Sequence, residues 1–287
     1  MSELREEINR LAEEWQQCQK VLLALGGETR QQSLGEGHEP YARLRPCHNE
    51  PCYDHGKLYH MTEEPNMTIQ EATKARHSVR QYDNRPLEDA VLSALRAEVD
   101  ACNQESGLHI QLVTNEPKAF DGFMAHYGKF SGVSNYFALI GKKSADLDEK
   151  CGYYGERLVL LAQQLGLNTC WVALTYKKIK TAFQIAPGEK LCVIIALGYG
   201  TNQGVPHTSK PISQVTNVTG TAPDWFQKGM EAALLAPTAM NQQKFRFTLN
   251  GNTVSVKAGT GFYTKVDLGI VKYHFELGAG TDHFRYG

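Results

Sequence analysis

The sequence has no sizeable excess of either charge: 30 Lys and Arg residues face 31 Asp and Glu, a formal net charge of -1 over 287 residues. Such a balance supplies no general attraction to nucleic acid or to an anionic membrane surface, so any basic site must be local. Long apolar runs are also missing. The longest, Leu191 to Leu197, falls far short of the ~20 residues that a bilayer-spanning helix needs. The start, Ser2-Glu3-Leu4-Arg5-Glu6-Glu7, lacks the apolar segment of a secretory leader. Seven cysteines, an odd number in a long chain, do not make a disulfide framework. These absences point to a reduced cytoplasmic protein with no nucleic-acid partner and no membrane association. What is present, 41% hydrophobic residues, suffices for a substantial buried core.

Periodicity organises the chain. Residues 3 to 25 read as a helix, with Leu4, Ile8, Leu11, Trp15, Cys18, Leu22 and Leu25 recurring every three or four positions. From Gly26 to about Pro65 no period survives among Gly, Pro, His and Glu, so this stretch reads as loop or disorder. Helical pattern returns at 68 to 76 and again after Pro86 to about Ala101. Leu108 to Thr114 and Tyr136 to Ile140 read as strands, and Asp146 to Leu165 as a long helix stopped by Gly166. Thr169 to Ala173 and Leu191 to Leu197 are apolar enough for buried central strands. Ala222 to Leu235 is a helix that Pro237 must end. Phe245 to Leu249 and Thr253 to Lys257 flank Asn250-Gly251, a hairpin signal, and Val266 to Ala279 closes with a helix. Strands and helices mix without a regular βαβ cadence, which predicts an α+β fold.

The chain also echoes itself. Ala101-Cys102-Asn103-Gln104 before Leu108-His109-Ile110-Gln111-Leu112 matches Ala239-Met240-Asn241-Gln242 before Phe245-Arg246-Phe247-Thr248-Leu249. Gly152, Leu160 and Ala162 recur with identical spacing as Gly269, Leu277 and Ala279. Two echoes in the same order predict a duplicated α+β unit, the first over about 67–215 and the second over about 216–280, preceded by an extension over 1–66.

Chemistry concentrates at Arg76-His77-Ser78-Val79-Arg80. Two guanidiniums and a hydroxyl in five residues can cradle a phosphate, since Arg offers bidentate donors and Ser a compact one. If the stretch is extended, side chains 76, 78 and 80 share a face. This run, continued by Gln81-Tyr82, resembles the Arg-x-Ser-x-Lys/Arg-x-aromatic opening of the FMN-dependent nitroreductase family. Ala236-Pro237-Thr238-Ala239-Met240-Asn241-Gln242-Gln243-Lys244-Phe245-Arg246-Phe247 is similar to that family's Ala-Pro-Ser-x-x-Asn-x-Gln-Pro-Trp-x-Phe segment. Gly166-Leu167-Asn168-Thr169-Cys170-Trp171 and Leu197-Gly198-Tyr199-Gly200 with Lys210-Pro211 resemble two further stretches of it. The likeness covers about residues 67 to 280. Near Asn103 the family's Pro and Ser are lost, and the better match lies in the second repeat. The chain thus resembles the subfamily in which tandem nitroreductase-like units mimic the usual dimer, a nitroreductase-like α+β fold within one chain.

The resemblance implies one FMN site per chain. Arg76, Ser78 and Lys210 would bind the phosphate, His77 would lie beside them, and Arg80 would sit near flavin N1 and O2. Pro237, Thr238 and Asn241 would meet the ribityl chain or ring edge. Backbone of Trp171, Val172, Ala173 and Leu174 would face N5. No acid–base dyad is required of the protein, because a flavin carries the redox chemistry. The implied activity is NAD(P)H-dependent flavin oxidoreduction of small-molecule acceptors such as nitroaromatics or quinones, by a chain expected to be monomeric. The alternative is a flavin-binding or sensing module with little turnover. Departures from the family pattern stand at Gln243-Lys244, where Gln-Pro is usual, at Ala239 for Ser, and at His207 where a second basic residue often binds phosphate.

Two other signals carry less. Cys47-x4-Cys52, with His48, His55 and His60 nearby, is one loose pair rather than two close ones, so no metal is expected. Cys102, Cys151, Cys170 and Cys192 lie in apolar periodic segments and read as core. Residues Cys18 to Gln32 resemble the first helices of an arsenic-repressor-type winged helix, but no recognition helix or wing follows.

Overall fold

The computed structural model describes residues 67–287, within a compact unit spanning Met61–Gly287. The helix expected over 3 to 25, the irregular extension to 66, the Cys47–Cys52 pair and the winged-helix echo lie outside the described residues.

Two sheets organise the rest. The larger has four strands, β1 (Gln111–Val113), β2 (Asn135–Lys142), β3 (Asn168–Val172) and β4 (Glu189–Gly198), in the order β1-β2-β4-β3, antiparallel throughout. The smaller has β5 (Phe245–Asn250), β6 (Thr253–Ala258) and β7 (Arg285–Tyr286) in that order, with β5–β6 antiparallel and β6–β7 parallel. The helices are α1 (Ile69–Ala75), α2 (Asp89–Ser106), α3 (Phe123–Tyr127), α4 (Leu147–Gln164), α5 (Ile212–Val215), α6 (Asp224–Ala233) and α7 (Thr264–Ala279). The mixed α+β class is as expected, and α3, α5 and β7, all short, carried no readable period.

Local chemistry sets the boundaries. Thr68 and Glu71 form a reciprocal capping box that starts α1. Gly107 and Gly166 take left-handed φ of 71° and 76° just beyond α2 and α4, the usual way for a glycine to release the chain. In the β5–β6 hairpin the positive φ falls on Gly251, and Asn250 pairs with Thr253, so Gly251-Asn252 rather than Asn250-Gly251 forms the two-residue turn.

β2 alternates between two cores. Phe137 and Leu139 face helices α2 and α4, while Tyr136, Ala138 and Ile140 meet Phe120, Phe130 and Phe183 on the opposite face. Both faces are covered, which is why β2 and β4 read as unbroken apolar runs. One expectation is corrected. β3 is an edge strand rather than a central one, and a single parallel bridge from Ser78 to Thr169 covers its outer side.

The order α2-β1-β2-α4-β3 is matched later by α6-β5-β6-α7-β7. β2 and β3 both run antiparallel to β4, hence parallel to each other, as β6 and β7 do. The long helices α4 and α7 cross at glycine. A methyl at Gly152 would strike the Val266 carbonyl oxygen, and one at Gly269 would strike the Glu149 carbonyl oxygen. Shifting by 117 positions, the spacing between the two glycines, turns Glu149 into Val266, so the two contacts are reciprocal. The local echo is looser. Asn103 lies within α2 and grips Ile110 through both main-chain groups (2.9 and 2.7 Å), whereas Asn241 belongs to a 3-10 turn over Ala239–Asn241.

Candidate functional site

The segment leaving α1 turns extended at Arg76 (ψ 118°) and runs alongside β3, with the Val79 amide donating to the Thr169 carbonyl at 3.0 Å. Ser78 and Arg80 are exposed and Val79 is buried between them, the alternation expected of extended chain. The Arg80 guanidinium carbon stands 5.9 Å from the Phe130 ring centroid. Arg76 departs from the expected shared face. As the α1 cap residue it sends its side chain inward, 4% exposed, with Nε 3.8 Å from Glu156 Oε1 and no hydrogen-bond partner. Burial lowers the pKa of its guanidinium, and the Glu156 charge opposes that shift.

The end of β3 lies beside this segment. Burial pushes the Cys170 thiol up, against the charge of Arg80, a hydrogen bond with Ser78 and the charge of Arg76. Trp171 is half-buried and donates Nε1 to Glu156 Oε2 at 3.0 Å. Val172 is buried, Ala173 half-buried, and Leu174 exposed. The structure therefore brings Arg76, Ser78 and Arg80 beside Thr169 and Cys170, with Trp171 joined to Arg76 through Glu156.

The loop carrying Pro237, Thr238 and Asn241 is reached through residues 203–210. At one end of that segment the Gln203 carbonyl meets His77 Nδ1 at 3.2 Å, and Gln203 Oε1 accepts from Asn168 at 3.1 Å. In the middle, His207 Nε2 and Ser209 Oγ both approach the Leu234 carbonyl at 2.9 Å. Burial lowers the His207 pKa, and the nearby charge of Arg76 adds to the shift. At the other end the Thr208 carbonyl accepts from Asn241 Nδ2 at 3.0 Å and Gln243 Nε2 at 2.8 Å. One strap thus touches both motifs.

The loop itself is wound tightly. Met240, Asn241 and Gln243 have φ of 51°, 53° and 46°, a left-handed conformation that costs side-chain-bearing residues free energy and persists only when neighbours impose it. The neighbours are identifiable. Thr238 Oγ1 accepts from the Gln243 amide at 3.1 Å. Buried Asp267 at the start of α7 accepts from the Ala239 amide at 2.9 Å and from Gln242 Nε2 at 2.7 Å. Burial raises the Asp267 carboxyl to about 6, against those two hydrogen bonds.

Lys210 does not match its expected part. Its Nζ donates to the carbonyls of Gln242 (2.8 Å) and Gln243 (3.1 Å), and its amide to Gln243 Oε1 at 2.8 Å. It staples the loop with two of its three donors. Sequence reasoning also gave Gln243 no role of its own, although its pattern could have flagged one, and it missed Glu156, His274 and Asp267. A signal existed for two of them. Glu156 follows Gly152 by four on the buried stripe of α4, and His274 follows Ile270 by four on that of α7, so each is a polar residue at a core position.

A family model described as "Putative TM nitroreductase" matches residues 68–279. Among solved structures the chain is similar to a putative nitroreductase from Thermotoga maritima, with 24% identity, 78% of this chain and 88% of that one covered, and a TM-score of 0.52. It also aligns with a putative nitroreductase in complex with FMN from Desulfovibrio desulfuricans (14% identity, 54% and 98% covered, TM-score 0.41). An FMN-dependent nitroreductase from Clostridium difficile aligns at 18% identity over 46% and 87% of the two chains, with a TM-score of 0.38. No curated protein matches. Among the described residues no helix is long and apolar enough to cross a membrane.

Proposed function

Because the chain belongs to the putative TM nitroreductase family, we propose that it is an FMN-dependent oxidoreductase that uses NAD(P)H to reduce small acceptors such as nitroaromatics or quinones. The observation that carries this reading is Arg76, a buried guanidinium whose Nε lacks a hydrogen-bond partner, at the head of an extended segment bearing exposed Ser78 and Arg80. Buried donors are satisfied as a rule, so an orphan of this kind, whose charge reaches Cys170 together with Arg80 and the Ser78 hydroxyl, fits an anion that completes the site. The donor set suits the FMN phosphate.

In this reading Arg76 and Ser78 hold the phosphate, with His77 beside them, and Arg80 supports negative charge on the flavin N1–O2 edge. Pro237, Thr238 and Asn241 bound the ribityl chain or ring from the other side. The main chain of Trp171 to Leu174 lines the N5 edge. Lys210 acts by fixing the Gln242–Gln243 turn. When bound, FMN supplies the two-electron chemistry, and the protein contributes position, electrostatics and a shared face for donor and acceptor.

We read residues 67–215 and 216–280 as tandem units that mimic a dimer within one chain. The repeated element order and the reciprocal Gly152–Gly269 crossing support that reading. It implies one FMN per chain, since the second unit carries no Arg-x-Ser-x-Arg, and a monomer. A cytoplasmic location fits the free thiols of Cys102, Cys151, Cys170 and Cys192.

Reconstitution with FMN followed by NADH or NADPH oxidation with a quinone or nitroaromatic tests the proposal. Yellow protein with steady turnover is expected, and a colourless chain that refuses FMN overturns it. FMN uptake without sustained oxidation would instead mark a flavin-binding module with little turnover.

A further inference from the structure

Three polar groups meet in the core behind Arg76. Glu156 is fully buried; one oxygen lies 2.8 Å from His274 Nε2 and the other accepts from Trp171 Nε1 at 3.0 Å. Its hydrogen bonds thus go to groups other than Arg76, whose Nε stays 3.8 Å away. His274, also fully buried, points Nδ1 at the Ala232 carbonyl, 3.1 Å away.

Proton counting fixes the charge of this cluster. A carbonyl cannot donate, so His274 Nδ1 carries a proton. Nε2 and the Glu156 carboxyl share one more. Imidazolium with carboxylate and imidazole with carboxylic acid are both neutral as pairs. The net charge of the cluster is therefore the single positive charge of Arg76. Burial holds the Cys170 thiol protonated, so the thiol adds no counter-charge, and disfavours the cationic form of His207, so the imidazole adds no second positive charge. A buried charge is retained only when something compensates it.

The geometry points to His274 as a positioning residue for phosphate recognition. By neutralising Glu156, this α7 side chain leaves the charge of Arg76 free for the phosphate of FMN. The inference rests on the proposed FMN site and adds a residue from the opposite unit that touches neither cofactor nor substrate. Without the imidazole, Glu156 becomes the counter-ion of Arg76 and repels an incoming phosphate.

Riboflavin, which lacks the phosphate, isolates the effect. Dissociation constants for FMN and riboflavin, read by flavin fluorescence on the apoprotein, are compared across variants. His274→Gln is expected to weaken FMN at least tenfold and to move riboflavin less than twofold. The double variant Glu156→Gln/His274→Gln, again with a net charge from Arg76 alone, is expected to return to within threefold of the parent for FMN. Equal weakening of both ligands without recovery in the double variant, or an unchanged FMN constant in His274→Gln, overturns the inference. Should His274→Gln fail to fold, Glu156→Gln alone decides: retained preference for FMN over riboflavin supports the inference, and a tenfold loss of that preference overturns it. Arg76→Ala separates the two levels. If it keeps the parent preference, the phosphate assignment itself fails and the role of His274 falls with it. If it loses the preference while His274→Gln does not, only the role of His274 is wrong.

Discussion

Arg76 and Arg80 stand out in the sequence because their spacing is local, and their loss is the first test of the proposed FMN site at the scale of single residues. Hydrogen bonds to charged groups contribute about 1.5–3 kcal/mol each, so Arg76→Ala/Arg80→Ala should weaken FMN binding by at least an order of magnitude, measured by fluorescence titration. Unchanged binding would remove both residues from the site. Asp267 offers a pH test. Its carboxyl is held at about 6 in the folded chain against an ordinary 3.8. Between those values the folded state keeps a proton that the unfolded chain releases, so stability should fall as pH rises from about 4 to 6. Over about two pH units that amounts to about 3 kcal/mol. Asp267→Asn should flatten this part of the profile of urea midpoint against pH, and an unaltered slope would assign it to other groups. Asp267, like Glu156 and His274, escaped the sequence because its partners come from remote positions. Glu156 and His274 stand 118 residues apart, and no window along the chain contains both. The carbonyl contacts of Lys210 were hidden for another reason: a lysine before proline fits a family pattern, and only the fold shows that its ammonium also donates to two carbonyls.

Secondary structure was the most readable level. Helices α2, α4, α6 and α7 and strands β2, β4, β5 and β6 fall where period and punctuation place them, because each buries a long apolar stripe or run. Short pieces failed. The five residues of α3 and the two of β7 hold too few positions to show a period, and the edge position of β3 depends on a ladder order that its own residues do not encode. The α4–α7 crossing makes a sharp prediction. Gly152→Ala and Gly269→Ala each drive a methyl into a main-chain carbonyl, which cannot swing aside as a side chain could. Overpacking of this kind costs about 1–3 kcal/mol. Thermal unfolding should drop by roughly 2–4 °C per kcal/mol for a domain of this size. The two drops should be similar, since the contacts mirror each other. One neutral substitution would show that the crossing is lopsided.

For the whole molecule, the tandem reading fixes a mass and a stoichiometry. Light scattering should return the mass of one chain, 32.0 kDa, and flavin absorbance against protein concentration should give one FMN per chain. A dimer with two equivalent flavins would mean that the second unit does not complete the site in its own chain. The order of motifs along the chain suggests this organisation, because the better Pro-Thr-x-x-Asn match lies in the proposed second repeat. The mutual clasp of α4 and α7 has one more consequence. A handshake that looks the same from either side does not record whose hands are joined. Residues 199–223, between β4 and α6, contain only the four-residue α5 as regular structure, a tether long enough to let α7 of one molecule seat on α4 of another. Refolding at high protein concentration should therefore trap a fraction of interlocked pairs, resolvable by gel filtration, that separate on dilution only after unfolding.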